Sequence, residues 1–104
     1  MTNKVIPLFG GKDNAHQEFN ILLGKNNCVF ELDYNLNCKS WFLNIKIGKE
    51  YIVIGAVLRI NSDILFKYNV KKTFGTLVGV NKDPTLDNIG IDFNLVWIPP
   101  ANED

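Results

Sequence analysis

An all-β domain, built as a small antiparallel β-barrel or sandwich of six to seven strands with one short helical turn, is the fold class that three observations in this sequence predict. Apolar side chains recur at every second position through four consecutive segments. Short runs of Gly, Asn, Lys and Ser that tolerate tight bends separate those segments. No segment carries the 3.6-residue spacing of an amphipathic helix. The chain has 104 residues and reads, over 1–104, as a single domain. A domain of that size buries roughly two-thirds of the surface its unfolded chain exposes, which leaves no room for a catalytic lobe or a deep cleft beside the core.

The elements follow in chain order. Lys4 to Leu8 is a candidate edge strand, held at a sheet margin by Pro7, which has no N–H for a ladder. Four strands then place Gln17, Phe19, Ile21 and Leu23 inward, next Cys28, Phe30, Leu32, Tyr34 and Leu36, next Trp41, Leu43, Ile45 and Ile47, and last Ile52, Ile54, Ala56, Leu58 and Ile60. Hairpin loops of four residues, Gly24–Asn27, Asn37–Ser40 and Gly48–Tyr51, keep every apolar set on one face. In that register Leu23 meets Cys28, Leu36 meets Trp41 and Ile47 meets Ile52; Glu31 faces Lys46, and Glu18 faces Asp33 as the one mismatch. Asn61-Ser-Asp63 supplies caps for a helical turn at Ile64-Leu-Phe66 that plugs one end of the core. Residues 67 to 74, with Lys67, Lys71 and Lys72, read as a solvated connection. Thr76 to Asn81 is a short strand, Asp83-Pro84-Thr85 a turn, and Ile89, Ile91, Phe93, Leu95 and Trp97 alternate once more. Pro99-Pro100 ends the ladder, leaving 99–104 as a frayed tail.

Composition narrows the partners. Eleven basic residues balance eleven acidic ones, so the long-range field of a non-specific nucleic-acid or anionic-membrane binder is missing. Met1-Thr-Asn-Lys4 opens into polar sequence without a secretory apolar stretch, and the longest mostly apolar run, Tyr51 to Leu58, falls far short of a spanning helix. The expectation is a soluble product of the cell that makes it, with Cys28 and Cys38 kept as thiols.

Candidate chemistry is sparse. His16 is the only histidine, Ser40 and Ser62 the only serines, and each falls in a loop or at a strand margin, without the base and orienting group that a nucleophile needs. Cys28 and Cys38, ten apart, lack the paired spacing of a zinc site. Glu31 and Asp33 point the same way from one strand, but toward water, where both stay ionised; a hydrolase built on them is the weakest reading. Asp83, Asp87 and Asp92 lack the glycine and terminal glutamate of a calcium loop. Gly10-Gly11, Gly75, Gly79 and Gly90 do not stand in phosphate-cradling order. No catalytic, cofactor or metal residues are assigned.

The outer faces are more informative. Leu22, Val29, Phe42, Val53, Val57, Val78, Val80, Val96 and Ile98 all fall on the side away from the predicted core, more apolar surface than a free monomer exposes. Either a partner covers it or another part of the chain does. An alternative consistent with a small barrel is a free module that binds an oligonucleotide or oligosaccharide, supported by fold analogy alone.

Ile6-Pro-Leu8, Tyr34 to Ile45 (YNLNCKSWFLNI), Gly55 to Leu65 (GAVLRINSDIL), Gly75-Thr-Leu77 and Asp83 to Ile98 (DPTLDNIGIDFNLVWI) together resemble the small baseplate proteins of the cyanophage baseplate plug family. The resemblance covers nearly the whole chain. It departs from the pattern at Asn61, where a glycine is expected nearby, and near Asn37, where a basic residue is expected. What it implies is a structural, non-enzymatic component of a contractile phage tail or related particle, sited near the tail hub or tube. Such a protein would pack with other baseplate, hub or tube proteins and with further copies of itself, help to plug or order the central channel, and bind no membrane and no specific nucleic acid. It would be made in the host cytoplasm and reside in the virion tail. Tyr34, Asn35 and Trp41 match the pattern as hairpin scaffolding.

Overall fold

Seven strands form two antiparallel sheets in the computed structural model, which describes residues 3–68, 70 and 73–100. Strands β1 (Lys4–Ile6), β6 (Thr76–Asn81) and β7 (Phe93–Ile98) make one sheet in the order β1-β7-β6. Strands β2 (His16–Leu23), β3 (Asn26–Asn35), β4 (Ser40–Ile47) and β5 (Glu50–Val57) make the other as an up-and-down meander. The sheets do not close on one another, so the expected barrel-or-sandwich resolves as a sandwich. Its inner faces share one apolar cluster in which Phe30, Trp41, Leu43, Ile45, Leu77, Phe93, Leu95 and Trp97 are buried.

Two of the three hairpins are tighter than the sequence predicts, and the other is shifted by one residue. β2 and β3 pair Leu23 with Asn26, because Gly24, at φ 63°, turns the chain in two residues instead of four. The ladder slides by two, which exchanges partners yet keeps the inward set: Phe19 now meets Phe30, their rings stacked with centroids 5.5 Å apart. Between β3 and β4 the loop holds Leu36 to Lys39, and the Asn35 Oδ1 accepts the Asn37 and Cys38 N–H groups at 2.8 and 3.2 Å. Leu36, expected inward, is therefore 76% exposed, and Tyr34 rather than Leu36 packs against Trp41.

The third hairpin carries a β-bulge. Ile47 pairs with Glu50 across a second two-residue turn, the register then shifts between Leu43 and Lys46, and Phe42 meets Val57 as expected. The shift turns over the middle of β5. Val53, expected on the outer face, is buried, whereas Ile54, expected inward, is 64% exposed. Gly55 takes φ 74°, and the Asn44 Oδ1 accepts its N–H at 2.8 Å.

The connections complete the core. Asp63 Oδ1 accepts the Leu65 N–H at 3.0 Å, as a cap should, but the 3₁₀ turn lies at Phe66–Tyr68, two residues past the expected position; Ile64 and Leu65 are buried. Asn61 stands at φ 59°, a backbone conformation that suits the glycine expected near here and that Asn tolerates. The expected solvated connection over 67–74 is corrected at its described end, where Phe74 is buried edge-on to Trp97 and the Trp97 Nε1–H donates to the Phe74 carbonyl at 2.9 Å. Lys71 and Lys72 lie outside the described residues. Ile91, expected in the last strand, is 73% exposed, since the Asn88 carbonyl accepts the N–H groups of Ile91, Asp92 and Phe93 and holds a turn there. Pro100 is buried against the ends of the sheets, and the rest of the expected frayed tail, 101–104, lies outside the described residues.

Candidate assembly surfaces

The proposed surface residues divide between two outer faces. On the four-stranded sheet, register puts His16, Asp33, Phe42 and Val57 in one cross-strand row, and Glu18, Glu31 and Asn44 in the next. Asn20, Val29, Lys46 and Tyr51 follow, then Leu22 with Asn27. Leu22, Val29 and the Phe42–Val57 pair are thus separated by charged and amide side chains, and they form no continuous apolar patch. Val53 leaves the set because it is in the core.

His16, Asp33, Glu31 and Lys46 on this face are partnered locally. Glu31 accepts from the Tyr51 hydroxyl at 2.9 Å and from the Asn44 amide at 3.3 Å, contacts that replace the expected pairing with Lys46. Lys46 instead sits 5.4 Å from the centroid of the Tyr51 ring. That hydrogen bond to Glu31 raises the pKa of the Tyr51 phenol. The same slide of register gives Asp33 a partner: His16 Nδ1 lies 2.5 Å from Asp33 Oδ1, and this contact raises the imidazole's pKa, with the Glu18 and Glu31 charges adding to it.

On the three-stranded sheet the outer face is different in kind. Val5, Val96 and Val78 stand in one row, flanked by Ile98 opposite Thr76 and by Asn94 opposite Val80. No charged residue interrupts it within the three strands, and Asp63, bridged to Val78, stands at its β6 end. Val5 is 59% exposed and Ile98 36%, while Val78, Val80 and Val96 are half-buried. This apolar row was half legible in the sequence; Val5 was missed because a three-residue strand gives too little alternation to assign a face.

Neither face assembles reactive groups. Ser62 Oγ is buried with no hydrogen-bond partner among the described residues, and the Ser40 hydroxyl donates to the Cys38 carbonyl. Cys28 is a free thiol in the core, and burial pushes its pKa up to about 11, so it stays protonated near neutral pH. Cys38 is free and exposed. Among the described residues no group of His, Cys, Asp and Glu is placed to hold a metal ion, and no helix is long and apolar enough to cross a membrane.

One loop cluster ties these surfaces to a recognisable sequence. In the segment Asp83 to Asn88 the Asn88 Oδ1 accepts the Thr85 N–H at 2.6 Å, its amide donates to the Asp83 carbonyl at 2.8 Å, and the Trp41 indole N–H donates to the Thr85 carbonyl at 2.9 Å. A side chain on Gly10 would strike the Asp87 carbonyl, and one on Gly90 the Leu8 carbonyl, so the N-terminal segment and this loop fit face to face. These are the segments that carry the plug-family pattern, and a family model, cyanophage baseplate Pam3 plug gp18, matches residues 4–100. The chain belongs to that family. Membership indicates a phage baseplate protein with a structural role, located in the virion tail and associated with other baseplate proteins. A search of curated proteins finds no match. Asn88, which the sequence reading placed in the resembling segment without a structural role, is the organiser of that segment; its signal was the Thr85-x-x-Asn88 spacing of a side-chain-closed turn.

Proposed function

We propose that the chain is a non-enzymatic subunit that packs into the baseplate near the tail hub or tube by its outer sheet surfaces, helping to plug or order the central channel. The uncharged row Val5, Val96 and Val78 carries this reading, with Val80 and Ile98 beside it. A contiguous apolar sheet face is the kind of surface that a subunit buries, and a stable contact covers roughly 800 Å² on each partner. Leu22, Val29, Phe42 and Val57 on the other sheet are secondary contacts, each set among polar neighbours. Further copies of the same chain and the hub or tube proteins are the partners, and synthesis takes place in the host cytoplasm before assembly.

Val96→Asp tests the reading. The variant is expected to remain folded by circular dichroism, since Val96 points away from the core, and to be depleted in purified baseplates. Normal occupancy of the folded variant would remove this face from the assembly surface. Phe42→Asp, by contrast, is expected to reduce occupancy less.

A further inference from the structure

The sandwich has four free margins, and three of them are covered. Along β6 the segment 60–64 is laid down through bridges at Ile60 and Asp63, with the Asn61 and Ile64 N–H groups donating to the Gly79 and Leu77 carbonyls. Along β5 the bulge at Gly55 is capped by Asn44, and the Tyr68 hydroxyl donates to the Ile54 carbonyl at 2.7 Å. β1 is three residues long and followed by Pro7. These are ordinary protections of an edge.

β2 has no such cover. It runs for eight residues in unbroken register with β3 and contains no proline and no lysine. The Ala15 carbonyl accepts the Tyr34 N–H, so odd-numbered backbone groups turn toward β3 and those of Glu18, Asn20 and Leu22 turn outward. Of these outward groups only the Leu22 carbonyl has a partner among the described residues, the Lys4 ammonium at 3.1 Å. No backbone hydrogen bond joins β2 to residues 4–9 among the described residues; Gln17 reaches Phe9 through its side-chain amide. Phe19 and Ile21 point inward yet stay half-buried, whereas their β3 partners Phe30 and Cys28 are fully buried. The sheet is one strand short on this side.

Charge defines what would complete it. Glu18 lies directly opposite Glu31, a like-charge pair that a monomer gains nothing by keeping, and Asp33 is one row away. A second copy pairing through β2 would bring its own Glu18 to the seam. A cation beside Glu18 relieves its pairing with Glu31.

We propose that β2 is a docking edge for an extended segment of a neighbouring baseplate protein. That segment pairs with the backbone of Glu18, Asn20 and Leu22, placing Lys or Arg beside Glu18 and apolar residues over the flank of Phe19 and Ile21. The inference rests on the baseplate reading and names a surface and partner chemistry within it.

Amide exchange of the chain, free and in purified baseplates, tests it alongside two variants. In the free chain the outward amides of Glu18, Asn20 and Leu22 should exchange fast, and in the particle they should slow by at least about tenfold. Glu18→Lys, at an exposed site, should fold normally and lose occupancy at least about tenfold, and Asn20→Pro, which removes an N–H the monomer's ladder does not use, should do the same. Wild-type chain present in the particle with these amides still fast would overturn the docking edge and leave the baseplate reading standing. Absence of the wild-type chain from the particle would sink both. Protection that appears in the isolated chain as its concentration rises would identify a second copy as the occupant and overturn the basic partner, as would normal occupancy of Glu18→Lys.

Discussion

His16 and Asp33 show how one residue's behaviour depends on a register two positions away from the expected one. In the four-residue hairpin read from the sequence Glu18 faces Asp33, a repulsion; in the two-residue hairpin that forms, His16 takes that place and pairs with Asp33, while Glu18 moves opposite Glu31. The imidazole was legible as a surface group, but its partner was not. Because Asp33 holds the proton on, the folded pKa lies above the ordinary imidazole value of 6.5. The stability this pair contributes is then fully present below pH 6.5 and is lost as pH rises through the folded pKa. Urea titrations between pH 5.5 and 8.5 should show the midpoint falling with rising pH in the wild type. In His16→Gln that part of the slope should vanish. An unchanged slope in the variant would show that the pair is too well solvated to matter.

At the scale of the element, alternation identified β2, β3, β4, β6 and β7 and which of their residues face inward, because a slip of two residues preserves the face even when every partner is wrong. What alternation cannot report is an extra residue. The bulge in β5 leaves Val53 in and Ile54 out, and its only trace in the sequence is Gly55 within an otherwise apolar run. A Cβ on Gly55 would meet nothing within 4 Å, so Gly55→Ala isolates the conformational cost of φ 74° from any clash. That substitution should destabilise the protein by about 1–2 kcal/mol, read as a lower urea midpoint at unchanged m. A neutral result would mean that the bulge relaxes and β5 pairs without it. In that case the Asn44 bond to the Gly55 N–H should be lost too, and Asn44→Ala should become silent in the Gly55→Ala background.

The candidate assembly surface was legible in outline only. Period two marked the outward valines of β6 and β7, but nothing in a linear pattern says which outer face is continuous; that depends on β7 lying between β1 and β6, a pairing across most of the chain. The same holds for the ends of the sandwich. Each tryptophan indole ties a loop to the core, Trp41 at Thr85 and Trp97 at Phe74, so the loops act as end walls rather than as connections between strands. Two phenylalanines in the least periodic stretch, Phe66 and Phe74, look alike in sequence, yet one is 81% exposed and the other 1%. Phe74→Ala opens a cavity beneath Trp97 and should destabilise the fold by about 3–5 kcal/mol. Phe66→Ala should stay within about 0.5 kcal/mol of wild type. Equal, small effects would show that the 66–74 segment rests on a finished core. The expected asymmetry would mean that two open sheets of this size need that wall to hold together, so that the outer faces exist only once the loops have closed the ends.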